Sequence, residues 1–257
     1  MKPGATPTTP APRVSRAPVA IGWQREIVRR VTSDSLLKGG STMISIALFF
    51  AAYFWVLRNP LGDVTTMPVL ALDRWLDFEF AAMPLYLSLW VYLSLGPALL
   101  PDRRALLRYG VACLFVASVG LTLFLFWPTK VPPLSAALAA EVANHAGMTM
   151  LRSVDMSGNA CPSLHVAFAV FAAAGLAREL RAIGAHGWVR ALNALWCAGI
   201  VYSTLATRQH VVLDVLGGTL LGAFAAVLLA AWERGAVSRT ARAVLLPIRV
   251  RSAAGEP

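Results

Sequence analysis

The sequence predicts an all-α integral membrane protein with six transmembrane helices and both termini in the cytoplasm. Three observations carry that prediction. Of 257 residues, 57% are hydrophobic and 14% charged, with a mean hydropathy of +0.62. Soluble domains run near about 45–50% apolar and about 25% charged. Six stretches are free or nearly free of charge, at 39–57, 80–100, 109–127, 161–177, 191–207 and 211–232. Each reaches or approaches the ~20 helical residues that a hydrocarbon core of ~30 Å requires. The third observation is where the basic residues fall. With the N-terminus in the cytoplasm, 18 Lys and Arg lie on the cytoplasmic side, and only Arg58, Arg74, Lys130, Arg152 and Arg208 lie opposite. Such an excess is what orients membrane helices. The net charge of +10 is then a topology signal and calls for no nucleic acid.

Residues 1–38 read as a disordered, Pro-rich cytoplasmic tail, since Pro3, Pro7, Pro10, Pro12 and Pro18 among Thr and Ala can neither hold a helix nor bury a core. A secretory leader places its apolar core just behind the first basic residues. Here the first apolar stretch begins near Gly39, so the tail is expected to stay attached. A six-span membrane domain follows over 39–233. Its fourth and fifth spans are the shortest and need a few flanking polar residues to reach across. The second and fourth loops carry Arg103, Arg104, Arg108 and Arg178, Arg181, Arg190, which makes them cytoplasmic. The third loop, 128–161, lies on the outer face. It holds Pro128, Pro132 and Pro133 ahead of a helix-compatible stretch at 134–144, and ordered loops of this length are usually functional. Residues 234–257 form a basic cytoplasmic C-terminal tail. Of three cysteines, Cys113 and Cys197 sit inside apolar runs, so no disulfide framework is implied.

Two histidines fall at the outer ends of spans. His165 lies in Cys-Pro-Ser-Leu-His, where Pro162 suits a first helical turn because its missing N–H has no helical partner there. The backbone N–H groups of Ser163, Leu164 and His165 then point outward and, with the helix dipole, make an anion site fit for phosphate. The plainer reading makes Pro-Ser helix punctuation and His165 an interfacial polar residue. His210 and Asp214 stand four apart at the start of the sixth span. That spacing puts both on one helical face, so the carboxylate can take the Nδ1 proton and leave Nε2 free as a nucleophile. An acid this close to hydrocarbon is costly unless paired or facing a cavity. The plainer alternative is a structural His–Asp pair at a helix end. A second histidine on the same face favours chemistry, because one can attack phosphorus while the other protonates the leaving oxygen. Lys130, Arg152 and Arg208 share that face and could neutralise phosphate oxygens, although a lone basic loop residue is more often solvated.

Other patterns read as structure. Gly217, Gly218 and Gly222 suit close helix packing. Trp55, Trp75, Trp90, Trp127, Trp188 and Trp232 lie mostly near span ends, as an aromatic belt does. Asp63, Asp73, Asp77 and Glu79 lack metal-loop spacing and read as a solvated acidic face. His145 and His186 show no partner in the sequence.

Pro162-Ser163-Leu164-His165 together with Ser203 through His210 to Asp214 resembles the type 2 phosphatidic acid phosphatase superfamily, over roughly residues 40–232. That family carries Pro-Ser-Gly-His, then Ser-Arg, five residues, His, three residues, Asp, and both spacings match. The resemblance implies six membrane helices, a phosphohistidine on His210 oriented by Asp214, His165 as acid to the leaving group, and neither metal nor cofactor. Leu164 stands where the family has Gly, Thr204 where it has Arg, and the family's first motif has no clean match. Lys130 and Arg208 are the candidates to replace the lost cations. Pro-Thr-Lys-Val-Pro-Pro at 128–133, Pro-Ser-Leu-His and Gln-His with the downstream Asp are more similar to the branch that includes inositol phosphorylceramide synthases.

The expectation is therefore an enzyme of the lipid bilayer that hydrolyses a membrane lipid phosphate or pyrophosphate through a phosphohistidine. Catalytic residues are His165, His210 and Asp214; phosphate-binding residues are Lys130, Ser163, Leu164, Arg208 and Arg152. The alternative is a lipid phosphotransferase that moves a phosphorylated headgroup to a lipid or polyol hydroxyl. A rival of another class is a haem-anchoring subunit or transporter using both histidines as ligands, which absorption of visible light would reveal. The short chain points to a bacterial inner membrane, with the site facing the periplasm.

Overall fold

A computed structural model describes residues 22–145 and 158–253, with side chains as far as Gly235. In chain order the helices are α1 (Trp23–Thr32), α2 (Ser35–Arg58), α3 (Ala71–Trp75), a 3-10 turn (Phe80–Ala82), α4 (Met83–Leu87), α5 (Leu89–Leu99), α6 (Arg103–Phe126), α7 (Ala136–Ala143), α8 (Leu164–Ala182), α9 (Gly187–Ala206) and α10 (Val212–Ala253). Side-chain caps start several of them: Asp102 accepts the Ala105 N–H at 2.8 Å before α6, and Ser135 the Leu138 N–H at 3.3 Å before α7. Two short strands, β1 (Thr65–Thr66) and β2 (Thr129–Lys130), pair in parallel. They tie the loop after α2 to the loop after α6.

Among the described residues, five helical runs are long and apolar enough to cross a membrane: α2, the composite Phe80–Leu99, α6, α9 and Val212–Gly235 of α10. α8 is also long, with 19 residues, but its last turns carry Arg178, Glu179 and Arg181. Its position explains its lower hydropathy. It packs against α10, α9, α5 and α6, and most of its length is buried beneath them. Alanine and glycine suffice where the neighbour is another helix rather than lipid. The bundle's outside is apolar instead, with Leu195 69% and Leu220 71% exposed. Apolar exposure on this scale is the mark of contact with lipid.

Contacts at the two ends show the helices alternating up and down. At one end Arg30 Nη1 donates to Glu179 at 2.8 Å and to the Leu99 carbonyl at 3.1 Å, Arg178 pairs with Glu233, and Arg103 with Asp34. At the other end Leu61 N–H donates to the Leu125 carbonyl, and Ser163 N–H to the Asp214 carbonyl. The site lies at that second end.

Several expected boundaries move. The tail expected to be disordered through residue 38 carries α1, because Arg30 is buried against Glu179 and Glu26, and Trp23 packs edge-on to His186 at 5.6 Å. Glu26's carboxyl is pulled down to about 2, chiefly by hydrogen bonds from Arg29 and Arg30. The C-terminal tail expected from 234 begins inside α10, which continues to Ala253. The charge-free stretches mark only the hydrocarbon portion, so α2 and α6 start four and six residues earlier than expected. The second span is broken near Ser88 into α4 and α5.

Gly218 and Gly222 set the approach of α10 to α8. A Cβ on either would fall against the carbonyl oxygen of Ser163 or Ala167, closer than real Cβ contacts come. Gly222→Ala should therefore destabilise the protein by about 1–3 kcal/mol through forced separation. Gly40→Ala, with nothing within 4 Å of the added Cβ, should stabilise α2 by up to about 1 kcal/mol. Thermal melts in detergent check both; equal shifts would disprove close packing at Gly222.

Candidate active site

α8 starts where Ser163 caps it: its Oγ accepts the Val166 N–H at 3.3 Å. Helix begins at Leu164, three residues later than expected, with Pro162 ahead of the cap rather than in the first turn. The Ser163 N–H donates to the Asp214 carbonyl at 3.0 Å. One bond thus joins the start of α8 to the first turn of α10, and His165 and His210 come to line one cavity. It also engages one of the three amides expected to hold phosphate. Those of Leu164 and His165 donate to no group among the described residues. The Leu164 side chain lies against α6 at Gly120, where a Cβ would collide with it. That glycine is how the fold takes a leucine at this position.

His165 is oriented on two sides. Its ring lies flat on Tyr86, centroids 4.1 Å apart at 16°, and the Tyr86 backbone hydrogen-bonds it. Its Nε2 is buried and without a partner among the described residues.

The α9–α10 turn is tight. Arg208 has φ 56°, a left-handed conformation uncommon for a residue with a side chain, and the N–H groups of Gln209 and His210 both reach the Thr204 carbonyl at 3.1 Å. The Arg208 guanidinium braces the turn: Nη1 donates to the Asp73 carbonyl at 2.7 Å and Nη2 to the Leu76 carbonyl. His210 lands just before α10. Asp214, fully buried, accepts the Val211 N–H at 3.0 Å through Oδ2, and the same oxygen lies 3.5 Å from His210 Nδ1. The pair is adjacent, as its spacing implies, but it forms no hydrogen bond; His210 Nδ1 and Asp214 Oδ1 have no partner among the described residues. The cap bond draws Oδ2 towards the backbone. Contacts of this kind are often long without ligand and tighten in the complex.

The shared cavity, about 250 Å³, is lined by aromatic side chains of α2, α4 and α5, with Asn159, Gln209 and both histidines at its polar end. A second cavity of about 180 Å³ adjoins His210 on the side of Asp73, Ser135 and Arg208. Of the cations expected near phosphate, Arg208 lines the second cavity. Lys130 does not: strand alternation turns Thr129 inward, 0% exposed, and Lys130 outward, so it lines neither cavity. Arg152 lies outside the described residues. Thr204 is buried, its hydroxyl donating to the Val201 carbonyl at 2.8 Å.

Asp73, expected on a solvated acidic face, is 3% exposed. Its Oδ1 accepts the Val212 N–H at 2.8 Å, from 139 residues away, and its Oδ2 the Leu70 N–H at 2.8 Å. It fastens the loop after α2 to the helix that carries Asp214. No local signal marks it; its neighbours Asp77 and Glu79 look the same in sequence. Tyr86 was equally hidden in an apolar run. His145 also has company, stacked on Phe80 at 4.0 Å.

Neither a curated protein nor a solved structure matches the chain. A family model does, that of the PAP2 superfamily, over residues 105–237, more than half of the chain.

Proposed function

Because the chain belongs to the PAP2 superfamily, whose members are generally phosphoesterases or phosphotransferases, we propose that it is a membrane lipid phosphatase working through a phosphohistidine. His210 Nε2 attacks phosphorus, and the bond to the lipid oxygen breaks. His165 supplies the proton to that oxygen. Water then attacks the phosphohistidine, returns a proton to His165 and frees His210. Asp214 orients His210, and Arg208 with the amides of Leu164 and His165 offsets charge on phosphorus. The reaction uses neither metal nor cofactor. The observation that carries this reading is the pair of histidines on one aromatic-walled cavity, a place where an acyl or prenyl chain can lie with its phosphate at the polar end. In this reading α8 is the fourth of six spans, and the 18-to-5 distribution of basic residues supports cytoplasmic termini. The site then faces the periplasm of a bacterial inner membrane. A second reading, transfer of a phosphorylated headgroup to a hydroxyl as in the inositol phosphorylceramide synthase branch, is favoured by the second cavity beside His210.

The test is phosphate release by purified protein in liposomes from phosphatidic acid, phosphatidylglycerol phosphate, a polyprenyl pyrophosphate and a sphingoid phosphate. Release from at least one is expected; none from any would end the phosphatase reading. His165→Ala should slow hydrolysis of an alkyl phosphate by about 10²–10⁴-fold, the usual contribution of a general acid. Its effect on a nitrophenyl phosphate, whose oxygen departs without a proton, should be much smaller. Equal losses on both substrates would remove His165 from the acid role.

A further inference from the structure

One residue, Tyr86, sets the aim of His165. The imidazole lies on the Tyr86 ring, centroids 4.1 Å apart at 16°, and is hydrogen-bonded by the Tyr86 backbone. His165 Nε2 is buried and has no partner among the described residues. The backbone bond therefore runs from Nδ1–H to the Tyr86 carbonyl, and Nε2 is the nitrogen left to exchange a proton with a substrate in the cavity. In a straight helix a carbonyl points along the axis to an amide one turn on. Tyr86 lies where the second span is broken: α4 ends at Leu87 and α5 begins at Leu89.

The break falls at Ser88, and its side chain supplies a cause. Ser88 Oγ donates to the Leu85 carbonyl at 2.7 Å, three residues back, and a hydroxyl that enters the backbone ladder in this way bends a helix. A serine hydroxyl can otherwise turn its proton to whichever acceptor is near. Here Trp196 Nε1, from α9, donates to Ser88 Oγ at 2.9 Å, which leaves the hydroxyl proton to Leu85. Trp196 is fixed in turn, its ring 5.2 Å from that of Tyr92, whose hydroxyl donates to Asn193 Oδ1 of α9 at 2.7 Å. Neither Ser88 nor Trp196 lines either cavity.

We propose that Ser88 and Trp196 are positioning residues for His165: the indole fixes the hydroxyl, the hydroxyl fixes the bend, and the bend presents the Tyr86 carbonyl that holds Nδ1. This rests on the reading of His165 as acid to the leaving oxygen. His210 takes no part in these contacts, so losing them leaves attack on phosphorus in place and disturbs the proton alone. A displacement of about 1 Å at a reacting group can cost about 10²-fold. How much of that loss appears depends on the leaving group, because an alkyl oxygen needs the proton and a nitrophenyl oxygen departs without it.

Full-length Ser88→Ala and Trp196→Phe in liposomes would be given an alkyl phosphate and a nitrophenyl phosphate. Each variant should hydrolyse the alkyl phosphate at least about tenfold more slowly than wild type and the nitrophenyl phosphate within about threefold of it. Trp196→Phe keeps a ring against Tyr92 and removes the N–H. Ser88→Thr, which keeps the hydroxyl, should recover the alkyl rate to within about threefold. In a His165→Ala background neither substitution should cost anything further on the alkyl phosphate, because positioning acts through the residue that is gone. Losses that are equal on the two substrates, absent on both, or added in full to that of His165→Ala overturn the proposal and leave the acid reading standing. If His165→Ala itself slows both substrates alike, the acid reading falls and the proposal with it. Should Ser88→Ala not fold, Trp196→Phe decides.

Discussion

His210→Ala is expected to lower turnover of any lipid substrate by at least about 10³-fold while the protein stays folded. The fold survives because little depends on the imidazole. Its side chain is 10% exposed, its Nδ1 holds no hydrogen bond among the described residues, and Asp214 keeps its bond to the Val211 N–H without it. The Ser163–Asp214 backbone bond that joins α8 to α10 is also untouched. Chemistry, by contrast, loses the nucleophile proposed for it, which lines both cavities. With phosphorus-labelled lipid and a rapid alkaline quench, wild type should carry acid-labile label and the variant none. Near wild-type turnover by His210→Ala, with its melting temperature unchanged, would mean that phosphorus is attacked by water directly.

The placement of the two histidines and Asp214 could be read in the sequence because each sits at a helix end announced by local chemistry: a Pro-Ser cap before one, a polar turn before the other, and a four-residue spacing that needs only helix geometry. The glycines were legible for a related reason. Small residues at Gly218 and Gly222 in an apolar run have few uses other than close approach, and the carbonyls of Ser163 and Ala167 fill the space a side chain would take.

What could not be read depends on partners distant in the chain. Arg30 looks like one more tail charge until Glu179 meets it at 2.8 Å, and with that ion pair the tail becomes a helix. Lys130 looks like a phosphate ligand until pairing with Thr66 fixes which face of β2 it occupies. Asp73 looks solvated until the Val212 N–H arrives. α8 falls short on hydropathy because its neighbours, rather than lipid, cover it, and only the assembled bundle shows that. Helix-local relations were therefore readable, whereas the second cavity, made from the loops after α2 and α6 with the α9–α10 turn, had no signature at all.

Asp214 separates orientation from structure, because one oxygen serves both. Oδ2 accepts the Val211 N–H at 3.0 Å and faces His210 Nδ1 at 3.5 Å. Asp214→Asn keeps an acceptor for the amide but offers His210 no carboxylate. An amide nitrogen turned to Nδ1 favours the tautomer with its proton on Nε2, the atom that must attack. Loss of a tautomer-fixing carboxylate costs up to about 10⁴-fold in a serine protease triad, and a drop of about 10²–10⁴-fold in kcat is expected here, with stability nearly retained. Asp214→Ala should lose the same activity and, in addition, about 0.5–2 kcal/mol of stability with the helix-start acceptor. Paired measurements of kcat and thermal melting on the two variants separate the roles. If Asn keeps activity within a few-fold while Ala only melts earlier, Asp214 is a helix cap, and His210 attacks without an orienting carboxylate.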